Sequence, residues 1–310
     1  MAERRTIAIG ECMVELARGT DARFGQSFGG DTFNTAVYLA RCGVPAAYAT
    51  ALGDDPYSNG IVELAEREGV ATDLVVRRPG RMPGLYLIET SADGERTFYY
   101  WRDRAPAREL LDGDDAAPII DAIADAGLVY LSGITLSIYS PAGLERLAAA
   151  LQRARSAGVR IAMDSNYRQR GWGEDKTRAR QVMERFWRLA TIGLPTQDDE
   201  AALWGDADAK ATIARLARLG VDEVAVKLGA EGAMVADRAT APTEIKVPAP
   251  AHAVDTTAAG DSFNAAYMAA RLKGLSLQEA ALAGHRLAGA VVAHRGAIVP
   301  VEATAAVLGR

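Results

Sequence analysis

Short apolar runs bounded by glycine or acidic residues recur along the chain, separated by stretches whose apolar positions fall three and four apart. Thr6–Gly10 reads as a buried first strand, with Cys12–Leu16 extending it and Gly25 to Gly30 bringing a flexible turn. Phe33, Ala36, Val37 and Ala40 mark one face of a helix that stops at Gly43, with Asp31 placed as its N-cap. Ala46–Leu52 predicts a strand and Ser58–Glu68 a helix ended by Gly69. Further strands are predicted at Leu128–Ser132, Arg160–Asp164, Ala190–Leu194 and Glu223–Leu228, with helices over Pro141–Ala157 and from Ser276 to about Ala293. Strands alternating with helices predict an α/β fold: a mostly parallel central sheet with helices on both faces.

One section breaks that rhythm. Leu85–Thr90 and Thr97–Trp101 are strand-like and flank Asp93-Gly94, a strong hairpin signal. An antiparallel insert in a parallel-sheet protein suits a flap over the sheet's end. It carries Tyr86, Tyr100 and Arg102, and strand parity allows Tyr100 and Arg102 to share a face. Such aromatic residues serve a ligand or a partner subunit, and a flap with two faces accommodates both.

Composition narrows the function. With 310 residues, 49% apolar and 24% charged, the chain suits one globular domain, taken as 1–310, able to bury a large core. A net charge of −5 argues against nucleic-acid and anionic-membrane binding. Cys12 and Cys42 supply neither a disulfide framework nor metal-ligand spacing, and no apolar signal core opens the chain, so a cytoplasmic location is expected.

The chemistry concentrates in Asp255-Thr256-Thr257-Ala258-Ala259-Gly260-Asp261-Ser262-Phe263. Small residues at Ala258, Ala259 and Gly260 precede a helical run, so their amides gather at a helix N-terminus, where unpaired donors and the dipole favour an anion. Asp261 among those donors reads either as a helix cap or as a base that deprotonates a hydroxyl. Asp164-Ser165-Asn166-Tyr167-Arg168 follows a strand's C-terminal end, where parallel sheets place ligands; Arg168 and Arg170 suit a carboxylate or phosphate. Asp198, Asp199 and Glu200 offer oxygen ligands for Mg²⁺, although for the two aspartates ordinary helix N-terminal chemistry is the preferred reading. Gly229 and Gly232 expose backbone at another strand end, for a nucleotide or for a plain turn.

Gly29-Gly30-Asp31-Thr32-Phe33-Asn34-Thr35-Ala36, taken with Asp255 to Asp261, resembles the paired signatures of ribokinase-like (PfkB) carbohydrate kinases, in order and across essentially the whole chain. Within that family, Tyr99 to Arg102, Asp164 to Arg168, Leu194 to Glu200 and Arg295 to Pro300 are most similar to the kinases of 2-keto-3-deoxygluconate. The resemblance implies a ribokinase-like fold with a small β-sheet lid from about 12–30 and 84–104. It implies transfer of the ATP γ-phosphate to a sugar acid's 6-hydroxyl, with Asp261 as base and Ala258, Ala259 and Gly260 as anion hole. Gly30, Asn34, Tyr86, Tyr100, Arg102 and Arg168 would hold the sugar acid. Gly229, Gly232, Ala258 and Gly260 would lie along the nucleotide. ATP and Mg²⁺ are the implied cofactors, a monovalent cation stays open, and a homo-oligomer through the lid is expected. Two departures stand out: Gln197 occupies the Asn position of an Asn-x-x-Glu motif that keeps Glu200, and Ala258 replaces the usual first glycine. A neutral-sugar kinase such as a fructokinase and a non-catalytic sugar sensor are the alternatives.

Overall fold

The computed structural model describes residues 4–19, 21, 23–90, 96–247 and 253–309. Within these, the strands in chain order are β1 Thr6–Ile9, β2 Met13–Arg18, β3 Phe24–Gly29, β4 Ala46–Leu52, β5 Val70–Ala71, β6 Val75–Arg77, β7 Leu85–Thr90, β8 Arg96–Trp101, β9 Leu128–Ser132, β10 Arg160–Asp164, β11 Ile192–Gly193, β12 Glu223–Lys227, β13 Ala233–Asp237 and β14 Thr243–Ile245. The α-helices are α1 Asp31–Arg41, α2 Pro56–Arg67, α3 Ala117–Asp125, α4 Gly133–Ile138, α5 Pro141–Ser156, α6 Gln169–Trp172, α7 Lys176–Trp187, α8 Gln197–Trp204, α9 Ala209–Leu219, α10 Ala259–Leu272, α11 Leu277–Val292 and α12 Val301–Leu308.

The central sheet runs β14-β13-β12-β11-β10-β9-β1-β4-β5, with β6 beside β4. Among the described residues its pairs are parallel from β12 through β5, and only the β12–β13 and β13–β14 pairs are antiparallel, β13 being the one reversed strand. Period-two alternation divides its core between two faces. Ile7, Ile9, Val129, Leu131, Ile161 and Met163 face helices α3, α5, α7 and α9. Ala8, Leu128, Tyr130 and Ala162 face α1, α2, α10 and α11. This is the α/β architecture that the hydrophobic pattern predicts.

A second, four-stranded sheet has the order β3-β2-β7-β8. Two sequence expectations give way here. Cys12–Leu16 does not extend β1; the chain leaves the central sheet at Glu11 and starts β2 in the other one. Gly25 to Gly30 is not a loose turn but β3, paired with β2 from Arg18↔Phe24 to Met13↔Gly29. The reason is exposure: β3 is an edge strand whose residues 24–27 are exposed, so it carries no apolar alternation to reveal it. The register sets Ser27, Glu15, Tyr86 and Tyr100 in one row across this sheet. The Asp93-Gly94 turn lies outside the described residues, although β7 and β8 pair antiparallel as that signal requires.

Helices α10 and α11 fix the site loop. They pack through Ala265, Ala266, Ala269, Ala280 and Ala281, all buried. Gly284 permits the close approach, since a Cβ there would stand 2.5 Å from the Phe263 ring. Ser276 and Glu279 form a reciprocal capping box that starts α11 as its sequence implies. Among the described residues no helix is long and apolar enough to cross a membrane.

Candidate active site

Two cavities meet at the start of α10. The larger, about 780 Å³, lies between the C-terminal ends of the central strands and the second sheet. The smaller, about 300 Å³, is mostly apolar and runs between Gly229, Gly232 and helix α11. Lys227, Ala253, Thr256, Ala259 and Gly260 line both.

Asp261 lies in the first turn of α10 and lines the larger cavity. It does not cap the helix: the N-cap is Ala258, and no side-chain cap bond forms. Asn34 instead donates its Nδ2 to Asp261 Oδ2 at 2.9 Å. Asn34 Oδ1 accepts the Gly30 amide at 3.4 Å, which orients the side chain with its donor toward the carboxylate. Burial, then the nearby charge of Asp31, pushes Asp261 up to about 7, against the Asn34 hydrogen bond.

Asp31 is likewise no N-cap. Gly30 holds that position, and the Asp31 carboxylate accepts Asn166 Nδ2 at 2.7 Å. Burial raises its proton affinity as well. Asn166 and Ala258 are the two non-glycine residues with positive φ among the described residues, at 30° and 59°, and both line the larger cavity. Such backbone is uncommon and persists where surrounding structure holds it, often at functional sites.

Ala258, Ala259 and Gly260 do gather at the helix start, but they are not equivalent. The Ala259 amide is spent on Thr256 O at 3.2 Å. Among the described residues the amides of Gly260 and Asp261 meet no acceptor, so they are the donors left for an anion.

All six residues nominated for an acceptor line the larger cavity: Gly30, Asn34, Tyr86, Tyr100, Arg102 and Arg168. Gly30 is required by packing, since a Cβ would stand 2.1 Å from Glu11 O. Tyr86 donates its hydroxyl to the buried Glu15, and its ring lies 6.0 Å from that of Tyr100. Three guanidinium groups surround this wall. Arg102 pairs with buried Glu11, and its Cζ is 5.9 Å from the Tyr100 ring centre. Arg170 stacks on the same ring at 5.4 Å. Arg168 is held at 3.0 Å by Asp199, whose other oxygen accepts the Tyr167 amide at 3.2 Å. Asp199 therefore does more than complement a helix terminus; it aims an arginine.

Gly229 and Gly232 line the smaller cavity. Gly232 is set by the hairpin, with φ 121° and a Cβ position only 2.1 Å from Ile245 O. Gly229 has open space around it. His285 on α11 also lines this cavity, and burial holds its imidazole below the usual histidine range.

The chain matches the family described as pfkB family carbohydrate kinase over residues 4–304. It belongs to that family. It is 44% identical over 308 residues to 2-dehydro-3-deoxygluconokinase of Escherichia coli (strain K12), covering 97% of this chain and 98% of the relative. Among solved structures, 2-dehydro-3-deoxygluconokinase from Thermotoga maritima superposes with a TM-score of 0.82 at 24% identity, over 99% of this chain and 100% of that one. A putative ribokinase II from E. coli in complex with ATP and Mg²⁺ superposes with a TM-score of 0.81 at 22% identity, over 97% and 96%.

One nominated residue of this pfkB kinase is not brought to the site. Glu200 is 1% exposed, is absent from both cavity walls and pairs its Oε2 with Arg215. Burial pushes it up to about 7 despite that partner. Among the described residues no group of three or more His, Cys, Asp or Glu side chains is placed to hold a metal. Sequence reasoning passed over Asp31 as a ligand-facing acid, Asp164 and Lys227. The signal for the last two was present: each is a charged residue closing an otherwise apolar strand, Ile161-Ala162-Met163-Asp164 and Val224-Ala225-Val226-Lys227.

Proposed function

We propose that this pfkB kinase transfers the γ-phosphoryl group of ATP to the 6-hydroxyl of 2-keto-3-deoxygluconate, giving 2-keto-3-deoxy-6-phosphogluconate. The observation that carries the reading is the position of Asp261, lining the arginine-walled cavity directly after Ala259 and Gly260, which line both that cavity and the apolar one. The sugar acid occupies the larger cavity, its carboxylate toward Arg102 and Arg168 and its hydroxyl toward Asp261. The smaller cavity takes the nucleotide, with the base against Phe263 and α11 and the phosphates toward Gly260. The hydroxyl oxygen forms a bond to the γ-phosphorus, the bond to the β-phosphate oxygen breaks, and the hydroxyl proton passes to Asp261. The free amides of Gly260 and Asp261 receive the phosphoryl oxygens, the preorganised stabilisation that such transfers depend on.

The donor set suits Mg²⁺ only as a cation carried on the nucleotide's phosphates, the usual arrangement for an ion that keeps most of its waters. Glu200 is not assigned to it, because it lies off both cavity walls and its Oε2 is paired with Arg215. The second sheet, drawn from about 12–30 and 84–104, acts as a lid. Its exposed Tyr99 and Trp101 support assembly through that face, which sedimentation velocity at two protein concentrations tests.

A neutral-sugar kinase is disfavoured by Arg102 and Arg168 on the cavity wall, for which fructose has no carboxylate. Steady-state rates with ATP and a panel of sugar acids and hexoses test the assignment. The expected result is a kcat/KM for 2-keto-3-deoxygluconate well above that for fructose; a preference for fructose, or no ATP consumption with either, rejects it.

A further inference from the structure

Lys227 ends β12 as the one charge on an otherwise apolar Val-Ala-Val-Lys run, and it is only 7% exposed. Burying an ammonium group costs several kcal/mol before any partner is counted, and well-packed apolar residues usually stabilise a fold at least as well as a buried ion pair. The position therefore calls for a reason other than stability.

Its surroundings supply one. Lys227 Nζ donates to Asp164 Oδ2 at 2.7 Å and to Asn264 Oδ1 at 3.1 Å. Those partners are themselves tied: Asn264 Nδ2 donates to Asp164 Oδ2 at 2.6 Å, and Asp164 Oδ1 accepts the Asn166 amide at 3.1 Å. The ammonium is thus fixed from β10 and α10 while standing at the end of β12. An ammonium group has three donors, and two are accounted for. Lys227 also lines both cavities, and a Cβ placed on Gly260 would stand 3.5 Å from Nζ. The charge consequently sits against the bare backbone at the start of α10, beside the two free amides, on the wall that a phosphoryl group crosses between the cavities.

We propose that Lys227 is a catalytic residue of the phosphoryl transfer, its third N–H holding the transferring oxygens at the junction of the two cavities, with Asp164 and Asn264 as its positioning residues. The inference rests on the phosphotransfer reading above. Lys227 makes and breaks no covalent bond and keeps its proton: the acceptor oxygen bonds to phosphorus, the diphosphate leaves, and Asp261 takes the hydroxyl proton. Because the ammonium reaches both cavities, it accompanies the migrating charge from donor to acceptor, where a contact confined to one side would favour only one ground state.

The test is Lys227→Met in the full chain, assayed with saturating ATP and whichever acceptor the wild type uses. Acceptor affinity is measured separately by calorimetry without nucleotide. The expected result is a kcat lower by about 10²–10³-fold, the scale of losing one preorganised donor, with acceptor Kd within about threefold. The acidic limb of the pH–kcat profile should also move upward, because Asp261 loses a nearby positive charge; the role itself is read from a kcat loss without a loss of acceptor affinity. A kcat loss under tenfold, or a loss confined to acceptor affinity, overturns the proposal. If Lys227→Met fails to fold because Asp164 is left buried without its counter-charge, Lys227→Met/Asp164→Asn is compared with Asp164→Asn alone. A further tenfold loss in the double variant upholds the role, and no further loss ends it. A wild type active on fructose but not on the sugar acid rejects only the acceptor, and Lys227 is then judged with fructose; a wild type active on neither removes the kinase reading and this inference with it.

Discussion

Replacing Asp261 with asparagine isolates the base, because the contact that positions it survives. Asn34 Nδ2, now 2.9 Å from the carboxylate, can donate to the amide oxygen of the new side chain, so the cavity keeps its shape. What disappears is the proton acceptor. General-base contributions of 10²–10⁴-fold correspond to about 2.7–5.4 kcal/mol of barrier, so Asp261→Asn should lower kcat by at least ~10²-fold. Sugar-acid affinity by calorimetry should stay within about threefold. Stability supplies an independent readout. Asp261 is pushed up from 3.8 to about 7, so the folded state holds its proton where the unfolded chain has released it. Its contribution to stability is greatest below pH 4 and is lost as pH rises through 7. At pH 8 the fold carries a half-buried carboxylate beside Asp31, and the neutral amide removes that penalty. Asp261→Asn should therefore raise the melting temperature at pH 8 by a few °C, a gain that shrinks toward pH 5. A variant retaining turnover within tenfold of wild type, or one less stable at pH 8 than at pH 5 relative to wild type, would refute the assignment.

Arg102→Ala should reduce kcat/KM for the sugar acid by about 10–100-fold, the worth of charge-assisted hydrogen bonds to a carboxylate, and change fructose use by less than threefold; equal losses would count against a carboxylate clamp. Ala258→Gly should stabilise the protein, since Ala258 holds φ 59°: relief of about 1–2 kcal/mol of left-handed strain exceeds the ~0.5–1 kcal/mol entropic cost of glycine, and urea denaturation giving a lower midpoint would contradict this. In the wild type the acidic limb of kcat should lie at higher pH than that of kcat/KM, because the two report bound and free enzyme respectively; coincident limbs would show that the substrates leave the base unperturbed.

The sheet was legible where both of its faces are buried. β9 and β10 begin and end as predicted, at Leu128–Ser132 and Arg160–Asp164, because every residue in them except the half-buried Arg160 is buried. The second sheet was half legible: β7 and β8 showed aromatic strand character, whereas β3, solvated over most of its length and containing Gly25 and Gly29, had no apolar pattern to read. Helices α3, α7 and α9 were passed over although each carries a buried apolar stripe at helical spacing, Ile119 and Ile123, Met183 and Phe186, Ile213 and Leu216; α12, short and alanine-rich, shows only a weak one. In the site, Asp261 and the six residues nominated for an acceptor could be placed on one cavity wall from local spacing and family likeness. Asp31 could not. Its position before an apolar helix looks like a cap, and only the fold brings Asn166, 135 positions away, onto its carboxylate. Asp199 and Lys227 share that history, since their partners come from other elements of the sheet. Glu200 failed for the opposite reason: a retained motif residue was drawn into an ion pair with Arg215, 15 positions on, which the motif does not encode.

The placement of charge explains why a site for two anions contains so many carboxylates. Asp31, Asp164 and Asp261 act on one another, and Lys227 offsets them only in part. Arg102 and Arg168 stand on the other wall of the larger cavity, where they attract an acidic acceptor without neutralising the base. A base near 7 is already stronger than an ordinary aspartate, but a sugar hydroxyl is a far weaker acid, so the transfer still runs uphill in the free enzyme. Two anions then enter beside it, and like charge raises proton affinity further. If Asp261 is the base proposed above, it is thereby strongest when the phosphoryl group and the hydroxyl are both in place. The bond forming to phosphorus acidifies the hydroxyl at the same moment. On the proposed mechanism, proton transfer is thus driven by assembly of the complex, and the acidic cluster, which opposes substrate binding, couples binding to chemistry.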